Sequence, residues 1–449
     1  MGAFAAGGVS VIPGKSLQER LKPAHPVFGA ALQESVALYL LVFGALLLVA
    51  ALLDDVASRV RVPGILMVLV LGLLVENNLN EAGGASGTLL SLDHANQIAQ
   101  CALILVLFFG GLTTNWSRVR NVIAPAARLA TLGVLFTAVL ITLVMLGLGV
   151  ANGEMHWSLL LPGSLFVGAM VSSTDASAVM ALLRPLAGRL PEPLLDLIET
   201  ESSINDPMAV VLAQLALALI GGEGMEPSML VAAVARQFLL GILLGFLGGS
   251  VISQLSIGRN SLTRGSMLPV VSLALLLVLT GATTLMGGSP LLAAYLAGLV
   301  LGNSPATDQK ILEESHASFA KMAELLLFLC MGLVVAPQDV VRASWYAFLL
   351  FLVMQLVRWL MVNALLLRTS FSQSERTFVC WTGIRGAVPI AMAIQAWAAN
   401  VSFGAEMPPL ALGVVLLGLL SQGLLLVPLA KKLGIASPVE PPPSVSSGS

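Results

Sequence analysis

The sequence predicts an all-α polytopic membrane protein of about thirteen transmembrane helices, and three observations carry that prediction. Hydrophobic residues make up 57% of the 449 and charged residues only 10%, against roughly a quarter charged in soluble domains. Thirteen apolar runs, bounded by turn residues and charges, fall at about 36–54, 63–76, 95–112, 124–151, 157–183, 194–220, 228–256, 268–286, 289–302, 317–336, 342–367, 377–399 and 409–430. Basic residues collect on every second connection between these runs, as they do on cytoplasmic loops.

Residues 1–33 are rich in Gly, Ala and Pro and lack the basic-then-apolar pattern of a cleaved leader. They are expected to form a disordered tail. Ala6 stands where an N-myristoylation signal needs Ser or Thr, and the Pro/Ser-rich segment 433–449 is expected to be a second disordered tail. Between the tails lies a membrane domain of about 34–432. Cys101, Cys330 and Cys380 each sit in an apolar run without CxxC spacing, which reads as buried free thiols.

Orientation follows from Arg59 and Arg61, Arg118 with Arg120 and Arg128, Arg184 and Arg189, Arg259 and Arg264, Lys310 and Lys321, Arg368 and Arg376, and Lys431 and Lys432, fifteen of the 22 basic residues. An odd number of helices then puts the N-terminus outside and the C-terminus in the cytoplasm. Lys15, Arg20 and Lys22 pull the other way, but one tail is outweighed by seven consistent connections. Arg236 lies near a helix end and can snorkel, and Gly241, Gly245, Gly248 and Gly249 on the same helix suit close helix packing. Arg358 and Arg385 lie deeper and need partners.

Two runs are interrupted. The fifth contains Val171-Ser-Ser-Thr-Asp-Ala-Ser177, a polar cluster that predicts unwound backbone at membrane depth. The twelfth contains Thr382-Gly-Ile-Arg-Gly-Ala-Val-Pro389, where the glycines loosen the helix and Pro389 leaves the Arg385 carbonyl without its donor. One break in each half predicts a secondary transporter of two inverted six-helix repeats with crossed broken helices. Repeat one would cover about 36–220, a linker helix 228–256 and repeat two 268–430.

The sixth run carries Glu201-Ser-Ser-Ile-Asn-Asp-Pro207, although each acid in a membrane helix costs about 2.5–3.5 kcal/mol on insertion. On a helix, Glu201 and Asn205 lie one turn apart, as do Ser202 and Asp206, and Pro207 frees the Ser203 carbonyl. Asp206 and Asp175, the hydroxyls of Ser202 and Thr174 and free carbonyls make an all-oxygen set suited to a small, hard cation. A desolvated carboxylate also holds a proton, so cation and proton compete for one negative charge, which is the physical core of antiport. Asn205, standing where a second acid could be, limits the mobile charge and favours electroneutral one-for-one exchange. Glu201 is expected to pair with the otherwise stranded Arg358, and Arg385 to offset the partial charges of the broken helix ends.

At these residues the sequence resembles the monovalent cation/proton antiporters, closest to the bacterial potassium/proton antiporters of the cell-volume-regulation type. The resemblance covers about 36–430 and rests on Ser173-Thr-Asp-Ala176, Glu201-Ser-Ser-Ile-Asn-Asp-Pro-Met208, the Arg358 helix and Trp381-Thr-Gly-Ile-Arg-Gly-Ala-Val-Pro-Ile390. It implies a multi-pass protein of the bacterial inner membrane, with a core domain and a dimerisation domain, working as a homodimer by elevator-like alternating access. It also implies that Asp206 and Asp175 act at the ion site with Thr174, Ser202 and Asn205 around it, and that Glu201 pairs with Arg358. Two departures stand out. Phe108-Phe109-Gly110-Gly111 replaces a pattern that usually holds an acid in the third helix, and only about twenty residues follow the last helix, so regulation by a cytoplasmic domain is not carried over.

The function expected is exchange of K+ and/or Na+ for H+ within a lipid membrane, with no cofactor, no nucleic-acid partner and no enzymatic activity. A passive cation channel and an intramembrane aspartyl protease using Asp175 and Asp206 are the competing classes. Repeated carbonyl-rich filter loops are not evident, and His25, His94, His156 and His316 are all expected outside the spans. The oxygen ligands do not choose between sodium and potassium.

Overall fold

A computed structural model describes residues 26–60, 63–75, 89–151, 157–221, 227–257, 267–304 and 309–437. Residues 1–25 and 438–449, parts of the two expected tails, lie outside the described residues, as do His25 and His156. Two compact units divide at Val49. The described part of the first is the start of α1 (Pro26–Val60); all other helices belong to the second. Helix α1 begins earlier than the apolar run at about 36, because Pro26 is pre-set for a first helical position and the residues after it include good helix formers.

Every predicted apolar run is helical, and no strand occurs among the described residues. After α1 come α2 (Gly64–Leu74), α3 (Leu92–Thr113) and α4 (Ile123–Ala151). The fifth run forms α5 (Trp157–Met170) and α6 (Ala176–Leu183). Next are α7 (Glu192–Gly221), α8 (Pro227–Ile257), α9 (Met267–Leu285), α10 (Pro290–Gly302), α11 (Gln309–Val334) and α12 (Pro337–Leu365). The twelfth run forms α13 (Gln373–Trp381) and α14 (Ala387–Ala398), followed by α15 (Gly404–Lys432). Nine helices among the described residues are long and apolar enough to cross a membrane, which makes this a multi-pass membrane protein.

Helix starts follow local chemistry. The Ser91 hydroxyl accepts from the His94 amide, Ser289 accepts from the Leu292 amide ahead of Pro290, and Ser372 with Glu375 forms a reciprocal capping box. Pro389 behaves differently from its sequence expectation. It is the third residue of α14, in the first turn, where amide hydrogens have no intrahelical partner. Residues 382–386 therefore make the break by leaving the helix, and Pro389 only restarts it.

Packing sorts the helices into two groups, α2, α3 and α8–α11 in one and α4–α7 with α12–α15 in the other, joined chiefly through α14. In the first group α10 lies between α3 and α8 with almost no side chain in either seam. A Cβ on Gly298 would overlap the Phe108 carbonyl and lie 2.9 Å from the Leu112 amide nitrogen. On the other side Gly245 and Gly249 meet Ala293 and Ala297, while Gly248 faces Leu279 of α9. Small residues at such seams let backbones approach, which matters where lipid offers as much apolar contact as a neighbouring helix.

Two further expectations are corrected. His94 falls in the first turn of α3, and His316 lies inside α11 and is buried, with its Nε2 2.8 Å from Ser272 Oγ and its ring edge-on to Phe108; α11 starts well before the apolar run that hydropathy marks, because its polar first turns still bury one side through Leu312 and His316. Cys101 is exposed on α3 whereas Cys330 and Cys380 are buried, since an apolar run in a membrane helix has a lipid-facing side as well as a packed one. We predict that Gly298→Ala lowers the detergent thermal midpoint, by an amount equivalent to about 1–3 kcal/mol of overpacking. Gly281→Ala, whose Cβ would meet nothing within 4 Å, does not lower it.

Candidate functional site

The two broken helices meet at their breaks. α5 ends at Met170 and the chain runs unwound to Asp175, which caps α6 by accepting from the Ala178 amide at 3.1 Å. In the second break, residues 382–386 carry the chain from α13 to α14. The Asp175 amide donates to the Ile384 carbonyl at 2.9 Å, and Arg385 Nη1 donates to the Ser173 carbonyl at 2.9 Å. Each break thus satisfies a backbone group of the other. Arg385 is 1% exposed, and its Nε lies 3.1 Å from the Met354 sulfur of α12. Gly386 allows the close approach, because a Cβ there would overlap the Asp175 carboxylate.

Helix α7 passes this crossing with its polar face toward the first break. Ser173 Oγ donates to Asp206 Oδ1 at 2.5 Å. Asn205 clasps Thr174: its Oδ1 accepts from the Thr174 amide at 3.3 Å and its Nδ2 donates to Thr174 Oγ1 at 2.6 Å. Thr174 Oγ1 also shares a hydrogen bond with Ser202 Oγ, 2.9 Å away, in which either hydroxyl can donate. Thr174, Ser202 and Asn205 are buried and Asp206 is half-buried. Pro207 lies within α7, so the Ser203 carbonyl has no amide donor four residues on.

The structure therefore brings Thr174, Ser202 and Asn205 into one network and sets Asp206 beside it through Ser173. The Asp175 carboxylate turns instead toward the start of α6, where Ser177 Oγ lies 2.7 Å from its Oδ1, and shares no hydrogen bond with Asp206. Sequence reasoning did not single out Ser173, which bonds to both Asp206 and Arg385; the signal was its place in an unwound segment, where hydroxyl and carbonyl are both free to bond. Phe109 packs against an apolar cluster that contains Phe108, Leu112 and Leu276, so nothing polar replaces an acid at that position.

Glu201 and Arg358 form a bidentate pair, Nη1 to Oε1 at 2.5 Å and Nη2 to Oε2 at 2.9 Å, with side chains 1% and 3% exposed. Nη2 also donates to the Val379 carbonyl at 3.3 Å in α13. A Cβ on Gly383 would lie 2.8 Å from Arg358 Nε. The pair ties α7, α12 and the second break together from one side, and Arg385 ties α12 and both breaks from the other.

Two helix breaks bonded to each other, with a carboxylate, an amide and hydroxyls at their crossing, are the arrangement expected of a secondary ion transporter. The family model described as "Sodium/hydrogen exchanger, transmembrane" matches residues 44–432. Among relatives, the K(+)/H(+) antiporter NhaP2 of Shewanella sp. (strain MR-4) is 33% identical over 92% of this chain and 70% of its own, and the K(+)/H(+) antiporter NhaP of Alkalimonas amylolytica is 31% identical over 91% and 69%. Among solved structures, the sodium proton antiporter MjNhaP1 from Methanocaldococcus jannaschii superposes with a TM-score of 0.75 at 20% identity, covering 89% of this chain and 99% of that one. The chain belongs to the sodium/hydrogen exchanger family, and its fold is the antiporter fold.

Removing one partner of a buried ion pair leaves a charge without compensation at a cost of about 3–5 kcal/mol. Glu201→Gln and Arg358→Met are each predicted to cut the yield of monodisperse protein and its thermal midpoint. The double variant, which removes both charges, recovers most of the loss, as thermal melts in detergent will show.

Proposed function

We propose that Asp206 is the carboxylate on which a monovalent cation and a proton compete, and that one is exchanged for the other at each turnover. The observation that carries this reading is that Asp206 sits inside a membrane-spanning helix with a hydroxyl for a partner, and among the described residues no Lys, Arg or His forms an ion pair with it. A carboxylate so placed needs a counter-charge. A proton or a cation supplies it, but not both together.

The cation would be held by Asp206, with Thr174, Ser202 and the free Ser203 carbonyl as oxygen ligands and Asn205 fixing their arrangement. Asp175, at the same break, adds its field and helps to draw a cation in. Glu201 is spent on Arg358 and carries no cargo. Arg385 offsets the free carbonyls at the crossing without pairing with Asp206. One mobile charge at the site makes the exchange electroneutral. Higher identity to relatives named K(+)/H(+) antiporters than to the Na(+)/H(+) antiporter ApNhaP of Aphanothece halophytica, 28% identical over 74% of this chain, favours potassium, with sodium accepted by the same oxygens.

Basic connections support an outward N-terminus and a cytoplasmic C-terminus in a bacterial inner membrane, and the resemblance noted above supports a homodimer. Antiport is read in everted vesicles with a pH dye while potassium, sodium and lithium are titrated in turn. Asp206→Asn is expected to abolish cation-dependent proton flux with the protein still folded and inserted; flux near the unsubstituted level would overturn the assignment. For the unsubstituted protein, imposing a potassium-independent membrane potential is expected to leave the exchange rate unchanged.

A further inference from the structure

Asp175 is tied to a second set of ionisable groups that the exchange reading leaves unused. Ser177 Oγ lies 2.7 Å from Asp175 Oδ1 and 3.3 Å from Glu324 Oε1. Lys321 Nζ donates to Glu324 Oε2 at 3.3 Å and to Asp54 Oδ1 at 3.0 Å. This row of side chains runs from the helix crossing through α6 and α11 to α1. The side chains of Lys321 and Asp54 are 43% and 30% exposed, and that of Glu324 is 14% exposed. Ser177 is exposed and Asp175 half-buried, so Glu324 is the most enclosed member of the row, with more open groups on either side of it.

The ionisable groups around Glu324 are Lys321 on its own helix, Asp54 from α1 and Asp175 from the first break; α2, also packed on α11, has no ionisable side chain. A serine hydroxyl has one proton to give. Standing between two carboxylates, Ser177 can donate its proton to one and, when the other is protonated, accept from it. With one carboxyl protonated, the same contacts let a proton move by one place without rearrangement.

We propose that Glu324 is a proton-transfer residue of the exchange, passing protons through the Ser177 hydroxyl between the Lys321 and Asp54 end of the row and Asp175, whose charge in turn acts electrostatically on Asp206. In the inward step the Glu324 carboxyl gives its proton to Ser177 Oγ while the Ser177 hydroxyl proton passes to Asp175. Glu324 is left as a carboxylate beside Lys321, Asp175 becomes a carboxylic acid, and the serine hydroxyl is regenerated. Because α11 belongs to one helix group and α6 to the other, the row is joined only where the two groups stand as they do here, so proton access belongs to one side of the transport cycle. The proposal rests on the reading of Asp206 as the exchange site.

Purified protein in proteoliposomes separates the two routes. Tracer self-exchange of rubidium or sodium moves cation for cation and needs no proton transfer; cation-driven proton flux needs it. Glu324→Gln is expected to lower proton flux by at least about tenfold while self-exchange stays within about twofold, as loss of a positioned proton-transfer group would do. Ser177→Ala behaves alike, and Ser177→Thr, which keeps the hydroxyl, restores flux. Loss of both activities in Glu324→Gln, as a merely structural role would give, overturns the relay, and so does retention of both. Asp206→Asn is expected to lose both; self-exchange surviving there counts against the cation site at Asp206 and leaves the relay to be judged by the Glu324 and Ser177 variants.

Discussion

Hydrocarbon offers a peptide group no partner, and each unpaired amide or carbonyl there costs several kcal/mol. That constraint governs the whole arrangement. Two helices are interrupted inside the bundle, and the interruption is tolerable because the Asp175 amide bonds to the Ile384 carbonyl and Arg385 bonds to the Ser173 carbonyl. Neither break could stand alone. The oxygens gathered there, from Ser173 and Thr174 on one side and Ser202, Asn205 and Asp206 on the other, are those the proposed cation would use.

Around that crossing the charges are held apart by role. Arg358 is matched by Glu201 through two hydrogen bonds and by a carbonyl of α13. Arg385 is matched by a carbonyl and a thioether and no acid. Two buried guanidinium groups therefore brace the two breaks without neutralising Asp206. Had either arginine closed on Asp206, a resident counter-ion would stand where the proposed exchange needs a mobile one.

Much of this was legible in the sequence. Helix number and the two interruptions follow from hydropathy and from polar residues set where none should be, because the membrane removes every cheaper explanation for Asp175, Asp206 or Arg385. The pairing of Glu201 with Arg358 follows from charge economy. Three things were hidden. Pro389 looks like a helix breaker but sits in a first turn, and only the backbone distinguishes a kink from a restart. His316 and the early turns of α11 look like an aqueous loop because packing against neighbours leaves no mark on hydropathy. Glu324 looks like half of a local pair with Lys321 three residues before it; that its other oxygen reaches Ser177 on a different helix is a fact of tertiary structure alone.

The glycine seams on the two sides of α10 bear on how such a bundle can move. Where backbone rests directly on backbone there are no rotamers to reshuffle, and a sliding helix would meet carbonyls head-on after a fraction of an ångström. The α3–α10–α8 layer is in that sense a keyed joint, able to turn as a slab but not to shear internally. Relative displacement of the two helix groups is then left to the boundary between them, which α14 carries. The chain enters α14 from the second break, so the boundary between the two groups and the crossing of the broken helices meet at one place.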